Sequence, residues 1–291
     1  MTTIEMCPYE QLNKQILQIW RKPEYTDDVK SAPILYPTAQ DYMENQINTT
    51  PKCLFIGMNP SFRENEMKKY VEEWIESLNR KGENYQEITK KWSPWKRIFE
   101  REYFNNAKDQ EFEILEKIYK DFDPNSDQPR PPRGSSYQNN GKHNYFTKML
   151  TISNECELDF NYIDIFPIRG TNQRDTLEKV KKKEELTPLA KVLVGIAWEF
   201  IETLEPSVVV VANAGVSNIL TGFLKSNELL NGFDKDIGTY ATTIKNKKRV
   251  PIFFSSMLKG GALDNGSYER LKWHIGLVLS DLPHKKCLQN L

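Results

Sequence analysis

The chain has 291 residues and sets 40 Lys and Arg against 40 Asp and Glu, so its net charge is zero and only the local placement of charge speaks about partners. With 38% hydrophobic and 11% aromatic residues, wholesale disorder is excluded. Folding at this length buries roughly 75% of the surface the unfolded chain exposes, enough for one large domain or two modest ones.

The longest apolar runs, such as Val208-Val209-Val210-Val211-Ala212, fall far short of the roughly 20 residues of a membrane span. The opening Met1-Thr2-Thr3-Ile4-Glu5 lacks a basic stretch followed by an apolar one, the pattern of a secretory signal. The expectation is a cytoplasmic chain with no membrane partner.

In chain order, residues 1–50 are expected as a helical extension packed on the same domain as the rest. Residues 53–57 form a continuous apolar run bounded by turn residues, as do 162–168, 208–212 and 251–256. Such runs predict strands of a parallel sheet covered on both faces. After the first strand, residues 60–161 exceed an ordinary crossover and must carry their own structure. Residues 64–78 and 95–119 read as helices and 121–141, rich in Pro, Asn, Ser and Gly, as an exposed loop. This predicts a helical and loop insertion at about 63–141, serving either as a substrate-facing lid or as a packing cap.

Residues 187–204 predict the clearest helix: Leu189, Val192, Leu193, Ile196 and Phe200 recur at helical spacing, Thr187 suits the cap, Pro188 the first turn, and Pro206 ends it. Segments 239–244 and 249–254 flank the basic turn Lys245-Asn246-Lys247-Lys248 and predict a hairpin adding an antiparallel strand at the sheet edge. Strand alternating with helix implies right-handed crossovers. The predicted fold is a three-layer α/β/α sandwich around a central, mainly parallel four-stranded sheet.

Cys7, Cys53, Cys156 and Cys287 form no close pair, a spacing that favours neither zinc nor a disulfide framework, and Cys53 reads as a small core residue. With His143, His274 and His284 the only histidines, a site needing several imidazoles is not expected, so no metal is predicted.

In open α/β sheets ligands gather at the carboxyl ends of the strands. Here those ends read Gly57-Met58-Asn59-Pro60-Ser61-Phe62, then Asp164 with Arg169-Gly170-Thr171-Asn172, then Asn213-Ala214-Gly215, then Ser255-Ser256-Met257-Leu258-Lys259-Gly260-Gly261. Small and amide-bearing residues at four strand ends suit close approach to a planar heterocycle with alternating donors and acceptors. Any one of these motifs alone also serves as a plain turn.

Leu54-Phe55-Ile56-Gly57-Met58-Asn59-Pro60-Ser61 resembles the first motif of the uracil-DNA glycosylase superfamily, in its GxNPG form. The segments Phe146-Thr147-Lys148-Met149-Leu150, Tyr162-Ile163-Asp164-Ile165 and Glu205-Pro206-Ser207-Val208-Val209-Val210 follow that superfamily's order, and the similarity spans roughly residues 50–280. The resemblance implies a uracil-DNA glycosylase-like domain over 51–285. It further implies cleavage, without metal or other cofactor, of the N-glycosidic bond of uracil or another deaminated base after the nucleotide is flipped out of DNA, by a monomer. Asn59 matches the motif's water-orienting asparagine.

Gly57, Met58, Ser61, Phe62, Tyr145, Asp164 and Asn213 are the implied base-binding residues. Pro60, Met257, Leu258 and Gly260 are implied to contact DNA, with Met257 and Leu258 filling the vacated stack.

Two departures stand out. Where the superfamily often reads uracil with an asparagine, this chain has Asp164. It would accept from a base bearing an exocyclic amine or ring N–H, or else it pairs with Arg169 or Arg174. The second motif usually opens with a histidine, and Phe254-Ser255-Ser256-Met257-Leu258 has none, leaving Ser255, Ser256 or Lys259 to stabilise the leaving group. Lys179–Lys183, Lys245–Arg249, Arg130, Arg133 and Lys142 are candidate phosphate contacts or plain solvated faces. The alternative functions are an inactive superfamily member that binds nucleic acid or a nucleobase, and a small-molecule hydrolase on a similar sheet.

Overall fold

A computed structural model describes residues 50–59, 146–168, 173–183, 185–245 and 248–280, with the isolated helical positions Gln11, Leu12, Gln15 and Ile19. The expectations for Cys7, the 63–141 insertion, Pro60, Ser61, Phe62, Tyr145, residues 169–172, Arg130, Arg133, Lys142, His143, His284 and Cys287 fall outside the described residues. The chain divides into two compact units.

One unit holds the sheet. Its described residues are 50–58, 146–165, 197–245 and 248–280. Strand β1 (Lys52–Gly57) is followed by helix α1 (Thr147–Glu155) and strand β2 (Asp159–Asp164). The helix α3 (Pro188–Leu204) enters this unit at Ala197 and leads to β5 (Val208–Ala212) and α4 (Ala214–Ser226). Then come β6 (Leu230–Asp234), β7 (Thr239–Ile244), β8 (Lys248–Ser255) and α5 (Asn265–Ser280). The sheet order is β2-β1-β5-β8-β7-β6. The first four strands run parallel, and β7 and β6 are antiparallel additions.

Among the described residues, the sheet expected with four strands has six. The hairpin of β7 and β8 lies where its apolar segments and basic turn predict it. Strand β6 escapes prediction because Asn231-Gly232 reads as a turn, and its pairing with β7 does slip in register between Asn231 and Phe233. Strand β2 lies earlier than expected: its polar start, Asp159 and Asn161, pairs with Lys52 and Leu54. The apolar run 165–168 is buried chain beyond the strand.

Alternation along the strands explains the layers. Cys53, Phe55, Tyr162, Val208, Val210, Ala212 and Phe253 share one face and form a single core with Met149 and Ile152 of α1 and Tyr268, Ile275, Val278 and Leu279 of α5. The intervening Leu54, Ile56, Val209, Val211 and Ile252 are buried too, so the other face is also covered. There α4 packs against β5, β8 and β6 and contributes Val216, Ile219, Leu220 and Leu224. This unit is α/β with helices on both faces of a mostly parallel sheet.

Helix α5 is tied to α1 by Lys272, whose ammonium meets Glu155 at 2.7 Å and Glu269 at 2.8 Å. The bond to Glu155, then that to Glu269, holds this ammonium protonated well above the ordinary lysine range. Tyr268 donates its hydroxyl to the Lys148 carbonyl at 3.0 Å, and burial raises its pKa. Cys53 is fully buried, and burial, followed by the nearby Cys156, pushes its thiol well above the usual range. An unionised thiol in an apolar core is inert, as expected of a packing residue.

The described residues of the other unit include Asn59, 166–168, 173–183 and 185–196. Helix α2 (Gln173–Val180) leads into a two-residue hairpin of β3 (Lys181–Lys182) and β4 (Glu185–Leu186), turned through Lys183 at φ 51°. Thr187 then caps α3 as the sequence predicts: its hydroxyl accepts from the Ala190 amide at 3.2 Å, and Pro188 opens the first turn.

Candidate functional site at the carboxyl edge of the sheet

Strand order locates the site. From β1 the chain goes to β2 on one side and later to β5 on the other, so β1 and β5 flank the point where the connections diverge. Crevices at such points, beyond the carboxyl ends of the strands, are where open α/β sheets hold ligands.

The registers align one row of residues along that edge. Asp164 of β2 pairs with Gly57 of β1, and Ala212 of β5 pairs with Ser255 of β8. Because Ile56 pairs with Val211, Gly57 and Ala212 are the next neighbours, so all four stand in one line on the face covered by α1 and α5. Strands lie about 4.8 Å apart, which puts Asp164 and Ser255 roughly 14 Å from each other. They therefore address opposite ends of a nucleotide-sized ligand rather than one atom.

Gly57 is a glycine for a reason other than an open notch. A Cβ there would meet the hydroxyl of Tyr162, stand 2.5 Å from Asp164 Oδ1 and lie 2.8 Å from Tyr162 Cζ. Tyr162 and Asp164 occupy the room that the missing side chain leaves. Tyr162, absent from the predicted site, donates its hydroxyl to Asp164 Oδ1 at 2.7 Å. Its ring, 8% exposed, is met edge-on by Phe146 at 4.9 Å. The Tyr-x-Asp spacing, which places both side chains on one face of a strand opposite a glycine, is the signal that marks it. Asp164 itself is half-buried.

The remaining predicted residues have different fates. Asn213 is buried and caps α4, its Oδ1 accepting from the Val216 amide at 3.1 Å. Met58 is buried, and Asn59, half-buried, follows it.

Ser255 ends β8 half-buried, with its carbonyl accepting from the Ser217 hydroxyl at 3.3 Å. Ser256 donates its hydroxyl to the Ala262 carbonyl at 2.9 Å, which fixes the 3-10 turn Gly260–Ala262. Lys259 is exposed and Met257 half-buried. Leu258 is fully buried in the core with Tyr268 and Ile275, so it is a packing residue and not the exposed wedge that the sequence suggests. It anchors the loop after β8.

Lys182 and Lys183 are exposed in the unit that holds α2. In the β7–β8 turn Lys245, Lys248 and Arg249 are exposed, and Arg249 pairs with Asp234 at 2.7 Å. Arg174 pairs with Glu178 at 3.3 Å. Among the described residues no group of His, Cys, Asp and Glu is arranged to hold a metal ion, and no helix is long and apolar enough to cross a membrane.

No family model, no curated protein and no solved structure matches this chain.

Proposed function

We propose that the carboxyl edge between β2 and β8 binds a nucleobase, and that the protein is a glycosylase of the uracil-DNA glycosylase type, hydrolysing the N-glycosidic bond of uracil or another damaged or deaminated base in DNA. The observation that carries the reading is the aligned row Asp164, Gly57, Ala212 and Ser255 at the point where the strand connections diverge. Asp164, half-buried at one end of this row, supplies a group that reads the edge of a base, and the half-buried Ser255 stands at the other end.

Cleavage at such a site proceeds through a sugar with oxocarbenium character, which needs a positioned water more than a strong base. Asn59, two residues beyond Gly57 in the chain, is the water-orienting residue of this proposal. The exposed Lys259 is a mobile-headed cation after β8, suited to the charge that develops on the departing base.

Incubating the protein with oligonucleotides that contain uracil, hypoxanthine or other damaged bases, then probing for abasic sites, tests this. Release is expected, and Asn59→Ala should lose it while keeping base binding. No release from any substrate would sink the hydrolase.

Base binding without hydrolysis is the second reading, favoured by two observations. Ser256, one of the donors expected to replace the missing histidine, already donates to Ala262. The described charges of the strand-end segments are of both signs: Asp164 ends β2, and Lys259 and Asp264 both lie in the segment after β8. Binding with no release would select it.

A further inference from the structure

From Ser255 the carboxyl edge continues across β8, β7 and β6, and there three rings stand in a row. Phe254 is the penultimate residue of β8, Tyr240 the second of the antiparallel β7 and Phe233 the penultimate of β6, so each lies one residue in from that edge. Tyr240 pairs with both Ile252 and Phe233, which puts all three rings on the face that α4 covers. Their centroids are 5.9 and 5.4 Å apart, and each ring meets the next edge to face, so neighbours do not stack on one another. Phe233 is 54% and Tyr240 38% exposed, while the aliphatic Val250 and Ile252 of the same face are buried.

Contiguous exposed rings mark a binding surface, and their surroundings give the charge of the partner. From Pro206 to Leu263 the described cations are Lys225, Lys235, Lys245, Lys248, Arg249 and Lys259, all exposed. The described acids of that stretch are Glu228, Asp234 and Asp236, and Asp234 is already bridged to Arg249 at 2.7 Å. In a chain of zero net charge this is a local excess of cations. Helix α4 has no acidic residue. Rings without exposed aliphatics, set among lysines, match a polyanion with flat apolar faces: unpaired bases stack on the rings while the cations meet phosphates. A duplex keeps its bases stacked on one another and offers such a row only its backbone. Resting on the reading of DNA as the partner, we propose that Phe254, Tyr240 and Phe233 form a stacking platform for unpaired bases flanking the site, so that the protein prefers single-stranded to duplex DNA.

Fluorescence anisotropy of the full chain with a labelled, undamaged oligothymidylate, free or annealed to its complement, tests the proposal. The free strand is expected to bind about tenfold more tightly or better, and its binding to weaken as salt rises. Phe233→Ala and Tyr240→Ala, both at exposed positions, should each weaken it by roughly 5–100-fold, the scale of one lost base stack, with the fold seen by circular dichroism unchanged. Tyr240→Phe keeps the ring and should keep the affinity.

Duplex bound as tightly as the free strand, or affinity unmoved in both alanine variants, overturns the platform. So does wild-type self-association that both alanine variants abolish, which would assign the rings to a second copy of the chain. Base release without a preference for single strands leaves the glycosylase standing and sinks the platform, and the full preference without base release does the reverse.

Discussion

Gly57→Ala is the most demanding test of the arrangement at the end of β1. The added methyl would lie 2.5 Å from Asp164 Oδ1 and 2.8 Å from Tyr162 Cζ, with the phenolic oxygen nearer still. Carbon atoms in proteins pack at about 3.5–4.0 Å, so Tyr162 must move. It is a rigid ring, nearly buried and braced by Phe146, and cannot simply swing aside. Overpacking of this kind costs about 1–3 kcal/mol, and loss of the Tyr162–Asp164 hydrogen bond adds about 1 kcal/mol, for a total of about 2–4 kcal/mol.

Urea unfolding should register that loss as a lower midpoint with an unchanged slope, and thermal unfolding as a drop of roughly 5–10 °C. Removing the nearest atom should compensate, so Gly57→Ala in a Tyr162→Phe background is expected to cost at least about 1 kcal/mol less than in the wild type. A neutral Gly57→Ala, or strict additivity of the two substitutions, would refute the claim that Tyr162 fills the glycine's space.

Two further outcomes are expected. Leu258→Ala, at a fully buried core position, should destabilise by about 2–5 kcal/mol, whereas Met257→Ala next to it should cost about 1 kcal/mol or less; equal effects in denaturant would return Leu258 to the surface. On the acid side, the Asp264 carboxyl is lowered by the Ser267 hydroxyl and amide, at 2.6 and 2.9 Å, and the Asp234 carboxyl by the Asp236 amide and by Arg249. Their folded pKa values lie below the unfolded value of 3.8, so their contribution is fully present above that pH and is lost as pH falls through the lower folded values. The melting temperature of an Asp234→Asn, Asp264→Asn double variant should therefore decline less steeply below pH 3.8 than that of the wild type, and parallel curves would contradict the assignment.

The parallel core of the sheet is legible in the sequence where burial is two-sided. Val208–Ala212 reads as a strand because both faces are covered and every residue is apolar. The helix after Thr187 is legible because its cap, its proline and its apolar spacing agree. Strand β2 is misplaced because an apolar run reports burial and not strand pairing: Ile165, Phe166 and Ile168 are buried beyond Asp164, where the strand ends, with the Ile165 amide making a last bond to the Gly57 carbonyl at 3.1 Å.

The candidate site divides in the same way. The strand ends are visible as clusters of Gly, Asn and Ser, but the register that lines up Asp164, Gly57, Ala212 and Ser255 is a property of pairing. Tyr162 reads as one more strand residue until Asp164, two positions on along the same face, is known to pair with a glycine. Leu258, among polar loop neighbours, has nothing local to reveal that it points into the core.

The slip in register between Asn231 and Phe233 bears on how the molecule behaves among its own copies. In the described sheet β6 pairs on one side only, with β7, and an outermost strand offers a ready template to any extended chain that drifts past. The irregular residue breaks the even spacing of amides and carbonyls that such templating requires, and it increases the local twist. The exposed Phe233 and Tyr240, 5.4 Å apart at this rim, would otherwise make it adhesive. A local defect in pairing thus works as a terminator, keeping growth of the sheet by strand addition from starting where the apolar surface most invites it.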